Sequence, residues 1–308
     1  MDGKMMWVTL VLLGLLAIPV TTELTRSGMT DAVRTKAPGQ FALLSQGTTH
    51  FEWLGPERGP IAVCIHGLTT PSFVWYGMAK GLALMGFRVL VYDLYGRGYS
   101  DRTRGKQDAD FFNQQLTDLL AHENVGNHLT VLGYSMGGAI AAHFTACHPQ
   151  RVKQLILLAP AGMFELGGRK ITLARDLPVI GDWLFLAAYP WEVRRGIASE
   201  VHLPTSVEGI HDLQQEETGR RGYFPAVLSS LRGLLRKPCE DQHRAIAAAG
   251  VPVLAVWGDQ DDVIPLTCKD TLADWNSAAQ QAMIHGAGHG LPHTHTEAVL
   301  DAIRSSRG

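Results

Sequence analysis

The stretch Leu129-Thr130-Val131-Leu132-Gly133-Tyr134-Ser135-Met136-Gly137-Gly138-Ala139-Ile140 decides the fold. Residues 129–132 are apolar or β-branched and read as a strand, while the small residues from Gly137 onward read as a helix. A chain that passes from strand to helix this abruptly holds the central residue of the turn at strained backbone angles. It leaves room only for glycine two places to either side, where Gly133 and Gly137 stand. Ser135 is thereby lifted above the edge of a sheet, at the N-terminus of a helix, where developing negative charge is favoured. The pattern points to a reactive serine on a strand–turn–helix corner.

Outward from this corner, short runs rich in Val, Ile and Leu recur at residues 61–65, 88–92, 129–132, 154–158 and 251–256. Helix-length segments at 76–85, 108–120 and 137–147 separate the first four. Continuous apolar strands alternating with amphipathic helices specify an α/β fold whose parallel sheet is covered on both faces. Residues 41–45 and 49–54, divided by Gly47, predict an antiparallel hairpin ahead of it. A strand at 281–285 and a helix at 297–304 close the chain. Between Pro160 and Val251 the rhythm stops. Helical pieces punctuated by Pro178, Pro190, Pro204 and Pro225 fill a span too long for a structureless loop. This span reads as a helical cap inserted over the C-terminal edge of the sheet. The expected division is residues 1–40 for an N-terminal segment, 41–162 with 246–308 for the core, and 163–245 for the cap.

A serine hydroxyl is a weak nucleophile at neutral pH and needs a base. Among 13 histidines, His289 has the right setting. Gly286-Ala287-Gly288-His289 follows the last strand, at the edge where active sites of open α/β sheets form. The imidazole in turn needs an acid to fix its tautomer. The loop Trp257-Gly258-Asp259-Gln260-Asp261-Asp262-Val263-Ile264-Pro265 offers Asp259, Asp261 and Asp262, and the residues alone leave that choice open. Serine, acid, histidine is the chain order that suits this architecture. An oxyanion needs two backbone donors. Met136 N–H follows the serine directly, and Leu68 N–H lies in the loop His66-Gly67-Leu68-Thr69-Thr70 after strand 61–65. His66 itself reads as a brace for that loop. His285, His293 and His295 lie near His289 but lack carboxylate or thiolate partners in the segment, so no metal site is expected.

A formal net charge of −2, with no basic stripe, argues against a nucleic-acid partner. Cys64, Cys147, Cys239 and Cys268 are scattered without CxxC spacing. That argues against structural zinc and a dense disulfide framework and makes buried free thiols the expectation, with a Cys239–Cys268 pair in an oxidising compartment as the alternative. Residues 5–22 carry no charge, and as a helix they would span roughly 27 Å, the lower limit for crossing a bilayer. A membrane anchor, a cleaved signal segment and an apolar helix packed on the domain all fit this composition. A retained segment would place the protein at a membrane; a cleaved one would place it in a secreted or periplasmic compartment. Arg26, Arg34 and Lys36 pull the following domain toward the cytoplasmic side without deciding the orientation. Residues 21–40, broken by Gly28, Pro38 and Gly39, read as a linker.

Five features in this order resemble the α/β-hydrolase superfamily, over the chain from about Phe41 to the C-terminus. They are the His66-Gly67 loop, the run Asp93-Leu94-Tyr95-Gly96-Arg97-Gly98-Tyr99-Ser100, the turn at Ser135, the Gly258…Asp261…Pro265 loop and Gly288-His289. The resemblance implies the α/β-hydrolase fold: a mostly parallel eight-stranded sheet with helices on both faces and an inserted helical cap. It selects Asp261 as the acid, by its place after the loop glycine and before the proline, with Asp259 and Asp262 as alternatives. It also makes residues 93–100 a structural loop. Serine at the elbow sets the chain apart from dehalogenase and epoxide hydrolase relatives, which carry aspartate there. Tyr134 stands where carbon–carbon hydrolases of the meta-cleavage group carry asparagine, which demotes that activity. The apolar N-terminus ahead of the domain is similar to membrane-anchored monoacylglycerol lipases.

The resulting expectation is hydrolysis of a small-molecule carboxylic ester with an apolar acyl group through an acyl-enzyme. Ser135, His289 and Asp261 would form the triad and Leu68 and Met136 the oxyanion hole, with no metal or organic cofactor. Phe164, Trp183, Phe185, Tyr189 and Trp191 of the cap are candidates to line an acyl site or simply to pack. Lactone, amide or C–C hydrolysis on the same triad, or a ligand sensor with a slow triad, are the rival readings.

Overall fold

The computed structural model describes residues 3–165 and 168–306. Eight strands form one sheet: β1 (Gln40–Leu44), β2 (Gly47–Leu54), β3 (Ile61–Ile65), β4 (Arg88–Tyr92), β5 (Leu129–Tyr134), β6 (Val152–Leu158), β7 (Val253–Gly258) and β8 (Gln280–Ile284). Their order is β1-β2-β4-β3-β5-β6-β7-β8. The β1–β2 and β2–β4 pairs are antiparallel, and every pair from β4 to β8 is parallel. The eight-stranded, mostly parallel sheet expected from the sequence is present, with its strand boundaries shifted by one or two residues. Such shifts are usual where strand ends fray.

The central strands are apolar at every position because both faces of the sheet are covered. Along β3, Val63 and Ile65 enter one core with helices Ala109–His122 and Met136–Cys147, while Ala62 and Cys64 enter the other with helices Tyr76–Leu84 and Thr296–Ser305. The chain leaves β3 toward β4 on one side and reaches β5 on the other. The strand order therefore reverses between β3 and β5. Loops diverge at such a point and leave a crevice at the carboxyl ends of the strands. Close packing defines this crevice. A Cβ on Gly137 would lie 2.1 Å from the Ile65 carbonyl oxygen, so the helix after Ser135 sits directly on the end of β3.

Between β6 and β7 lie helices Arg169–Asp176, Ile180–Glu200, Ile210–Glu217, Tyr223–Arg232 and Glu240–Ala248. The last packs on helix Met136–Cys147. The N-terminal helix runs over Gly3–Thr25, further than the apolar run alone indicates, and a short helix, Asp31–Arg34, follows in the expected linker. The extension has a tertiary cause. Glu23 is buried, accepts a hydrogen bond from Gly222 N–H at 2.6 Å and pairs with Arg26 at 2.9 Å. Ser27 then bridges to Arg220 in parallel register. All four cysteines are free. Cys64, Cys239 and Cys268 are buried, whereas Cys147, at the end of its helix, is exposed and departs from the expectation of burial.

Three buried histidines give the fold an acid-sensitive element. Burial holds His66, His243 and His293 at pKa values of about 4, down from 6.5. Each is neutral in the folded protein while its unfolded counterpart takes up a proton below pH 6.5. Their contribution to stability is therefore lost progressively as pH falls from about 6.5 to about 4. Glu217, pushed up to about 7 chiefly by burial, works the other way, gaining its proton in the folded state first. His50, whose pKa is raised, also opposes the loss; burial alone would lower it, but the Asp93 carboxylate outweighs burial. Glu23, Glu52 and Glu200, which burial likewise raises, act in the same sense as Glu217. In Glu217→Gln the melting temperature is expected to fall more, or rise less, between pH 7.5 and 5.5 than in wild type, because the proton that Glu217 gains in the folded state is no longer taken up. A pH dependence unchanged by the substitution contradicts the assignment.

Candidate active site

Ser135 occupies the turn between β5 and helix Met136–Cys147 with φ 53° and ψ −120°, a conformation strained for any side chain but glycine. The surrounding backbone fixes it. Its N–H donates to the Leu158 carbonyl at 3.0 Å, and its carbonyl accepts from Gly138 and Ala161 N–H at 2.8 and 2.9 Å. A Cβ on Gly133 would lie 2.3 Å from the Gly137 carbonyl oxygen and one on Gly137 2.1 Å from the Ile65 carbonyl oxygen, which is why both flanking positions hold glycine. The strain at this serine is thus carried by three backbone hydrogen bonds and by two residues without side chains.

His289 follows β8 and reaches back over the sheet edge. Its Nε2 stands 3.0 Å from Ser135 Oγ, and its Nδ1 stands 2.9 Å from Asp261 Oδ2. Asp261 Oδ1 accepts from Val263 and Ile264 N–H, both at 2.8 Å, so the carboxylate is held at both oxygens. The other two candidate acids point elsewhere. Asp259 accepts from Gly286 N–H at 2.7 Å and lies 3.0 Å from His285 Nδ1; the His285 contact, followed by the Gly286 bond, holds its pKa down. Asp262 is exposed. Among the described residues, no cluster of His, Cys, Asp and Glu suited to a metal ion occurs.

Leu68 and Met136 flank Ser135. Among the described residues, neither backbone N–H has a hydrogen-bond partner. Gly67 packs against the serine: a Cβ there would lie 3.2 Å from Ser135 Cβ. His66 faces away from this centre. It is fully buried, with Nδ1 2.8 Å from the Gly67 carbonyl and Nε2 accepting from Leu94 N–H at 2.9 Å, which pins the loop after β3 to the loop after β4.

Several residues that sequence reasoning missed hold this frame. Arg97 is fully buried, and its Nε donates to the Leu68 carbonyl at 3.1 Å. Other nitrogens of the same guanidinium donate to the Tyr95 carbonyl and Ser230 Oγ. Burial pushes its pKa down to about 10, which leaves it charged at neutral pH. Tyr223 donates to the Thr69 carbonyl at 2.8 Å, and Gln214 to Thr70 Oγ1 at 3.1 Å, so the helices after β6 brace the same loop. Tyr134 donates to the His289 carbonyl at 3.1 Å and lies against its ring. Arg97 and Tyr134 could have been found by their place within the motif runs; Gln214 and Tyr223 carry no such signal, since each acts through a partner remote in the chain.

Ser135 and His289 open into a cavity of about 290 Å³ roofed by the helices between β6 and β7. Its walls include apolar Ile171, Val193, Ile197, Leu231, Val263 and Ile264, and polar Thr70, Glu200, Gln214 and His293. Of the five aromatic residues singled out from the sequence, Tyr189 lines this cavity. Phe185 is buried behind Tyr189 in a stacked pair with ring centroids 4.3 Å apart. Trp183 instead donates to the Leu16 carbonyl at 2.7 Å, Trp191 faces outward and Phe164 packs on the core.

A family model described as the alpha/beta hydrolase fold matches residues 60–296. The chain belongs to the α/β-hydrolase family and is similar to esterases and lipases. It is 27% identical over 260 residues to a pimeloyl-[acyl-carrier protein] methyl ester esterase of Vibrio campbellii, covering 83% of this chain and 98% of that protein. It is 26% identical to Lipase 3 of a Moraxella species, over 67% of this chain and 64% of that protein. Among solved structures, an esterase from Exiguobacterium antarcticum superposes with a TM-score of 0.71 at 18% identity, covering 88% of this chain and all of that one (100%). A membrane phospholipase A, described as a bacterial virulence factor, superposes with a TM-score of 0.66 at 20% identity, covering 98% of this chain and 97% of that one. Coverage that high takes in most of the N-terminal helix.

Proposed function

We propose that this protein hydrolyses carboxylic esters with apolar acyl groups, with Ser135 as nucleophile, His289 as general base and then acid, and Asp261 as the group that orients His289. The observation that carries this reading is the relay from Ser135 Oγ to His289 Nε2 to Asp261 Oδ2, at 3.0 and 2.9 Å. Ser135 Oγ attacks the ester carbonyl while its proton passes to His289 Nε2. The oxyanion formed sits on the N–H groups of Leu68 and Met136 at the positive end of a helix. The imidazolium then returns the proton to the leaving alkoxide, which departs as the alcohol. Water, deprotonated by His289, cleaves the acyl-enzyme to the carboxylic acid and restores the serine.

The helices from Arg169 to Arg232 act as the cap, and their apolar walls suit the acyl group. The lipase and the methyl ester esterase among the relatives support ester chemistry over other acyl transfers. The N-terminal helix acts as a retained membrane anchor. Over Lys4–Thr25 it is long and apolar enough to cross a bilayer, and its surface is almost wholly uncovered by the rest of the chain. Leu16 and Glu23 nevertheless bond to Trp183 and Gly222, so the helix is integrated with the domain at its C-terminal half.

The test is steady-state hydrolysis of p-nitrophenyl esters of increasing chain length by the full chain in detergent. Sustained turnover that rises with acyl length is expected. Acylation that stops after one equivalent, with a large thermal shift on ligand binding, would replace this reading with that of a sensor.

A further inference from the structure

We propose that the cleft between helices Arg169–Asp176 and Ile180–Glu200 is a lateral port, through which an acyl chain of a bilayer lipid reaches Ser135. The port rests on the ester-hydrolase reading above and narrows its substrate to esters resident in a membrane.

Four observations point to it. First, an apolar cavity of about 240 Å³ lies between the two helices, with Leu173, Leu184 and Ala188 on its walls and Glu192 as the one charged residue among the described lining. Second, Ile171 and Tyr189 line both this cavity and the catalytic one, so these two residues stand in the wall that the spaces share. Tyr189 is the partition. Its ring stacks on Phe185 with centroids 4.3 Å apart and meets Phe224 edge-on at 6.2 Å. The port requires this ring to turn aside.

Third, the N-terminal helix packs along Ile180–Glu200, the same helix that forms one wall of the cleft. Trp183, next to Leu184 of the wall, donates to the Leu16 carbonyl at 2.7 Å. Glu23 and Arg26 then fix the end of the N-terminal helix to the following cap segment, through Gly222 N–H and over the face of Phe224 at 4.9 Å. Anchor and cleft are therefore parts of one packed unit. Fourth, the outer end of the cleft carries an uncovered apolar rim, with Val179 79% and Ile180 61% exposed beside half-open Leu173 and Leu177. Uncovered apolar surface of this kind, on the helix against which the bare N-terminal helix packs, is unfavourable in water and suits a membrane-facing side. An acyl chain withdrawn from the bilayer at this rim meets Leu173, Leu184 and Ala188 in the cleft and then Ile171, Val193 and Ile197 in the catalytic cavity, so much of its path to the serine is apolar.

The experiment uses the full chain reconstituted into phosphatidylcholine vesicles that carry p-nitrophenyl palmitate, with p-nitrophenyl butyrate in the aqueous phase as the second substrate. Two variants block the cleft by different means: Ala188→Trp fills it, and Leu173→Glu places a charge at its mouth. In both, the ratio of palmitate to butyrate turnover is expected to fall at least tenfold. A ratio unchanged in both variants, or equal losses on the two esters, overturns the port. Wild-type turnover of butyrate but not of vesicle-borne palmitate also overturns the port and leaves the esterase reading standing. Turnover of neither ester overturns the esterase reading, and the port with it.

Discussion

Replacing Ser135 with alanine is expected to lower kcat/KM for a p-nitrophenyl ester by about 10⁵–10⁶-fold, the scale on which a triad loses activity when its nucleophile is removed. The fold is expected to survive the change. Ser135 is held by backbone hydrogen bonds to Leu158, Gly138 and Ala161, none of which uses its hydroxyl. Among the described residues the hydroxyl's one partner is His289 Nε2 at 3.0 Å. Alanine tolerates positive φ no better than serine, so the strained turn is neither relieved nor made worse. A residual rate above that of water should remain, because the N–H groups of Leu68 and Met136 and the apolar cavity still bind the ester. Labelling by a fluorophosphonate should vanish in the same variant, with the melting temperature close to that of wild type. Labelling that persists in Ser135→Ala would mean that another residue is the nucleophile.

The frame of the site was legible because it depends on local chain requirements. Strand-to-helix reversal at Ser135 demands small neighbours, so Gly133 and Gly137 announce it. The loop at His66-Gly67 and the loop at Gly288-His289 each follow a recognisable apolar strand. The choice among Asp259, Asp261 and Asp262 was not legible from the residues, because all three share one loop and differ only in side-chain direction. That direction is set by contacts 26–28 residues away: Asp259 turns to the His285–Gly286 corner, and Asp261 turns to His289.

The roof of the cavity was less legible still. Helix Ile180–Glu200 carries apolar residues around much of its circumference, so its sequence gives no single inward stripe. The reason is that it packs on more than one side. Trp183 faces the N-terminal helix, Phe185 is buried, and Tyr189, Val193 and Ile197 face the cavity. Composition could nominate Trp183 and Tyr189 equally as pocket residues; only their places on the helix, relative to two different neighbours, separate them. The same cause explains the length of the N-terminal helix. Its last turns look like a polar linker until Gly222 and Arg26 are seen to satisfy Glu23.

Changing Asp261 to asparagine is expected to lower kcat/KM by about 10⁴-fold, almost as severe a loss as that at the serine although the shape is preserved. The argument rests on the two hydrogen bonds at Asp261 Oδ1. Val263 and Ile264 N–H both donate to it at 2.8 Å, and an asparagine can satisfy them only by presenting its carbonyl oxygen there. Its amide nitrogen is then forced into the place of Oδ2, 2.9 Å from His289 Nδ1. An NH₂ group in that position donates, so Nδ1 must accept, and the ring proton moves to Nε2. There it faces Ser135 Oγ and cannot take a proton from it. The ring stays in place and the base is lost. Asp259→Asn and Asp262→Asn should each change kcat/KM by less than about threefold, as surface changes without a contact to the imidazole usually do. Comparable losses at Asp259 and Asp261 would show that His289 is oriented by the loop as a whole, and the acid would have to be reassigned.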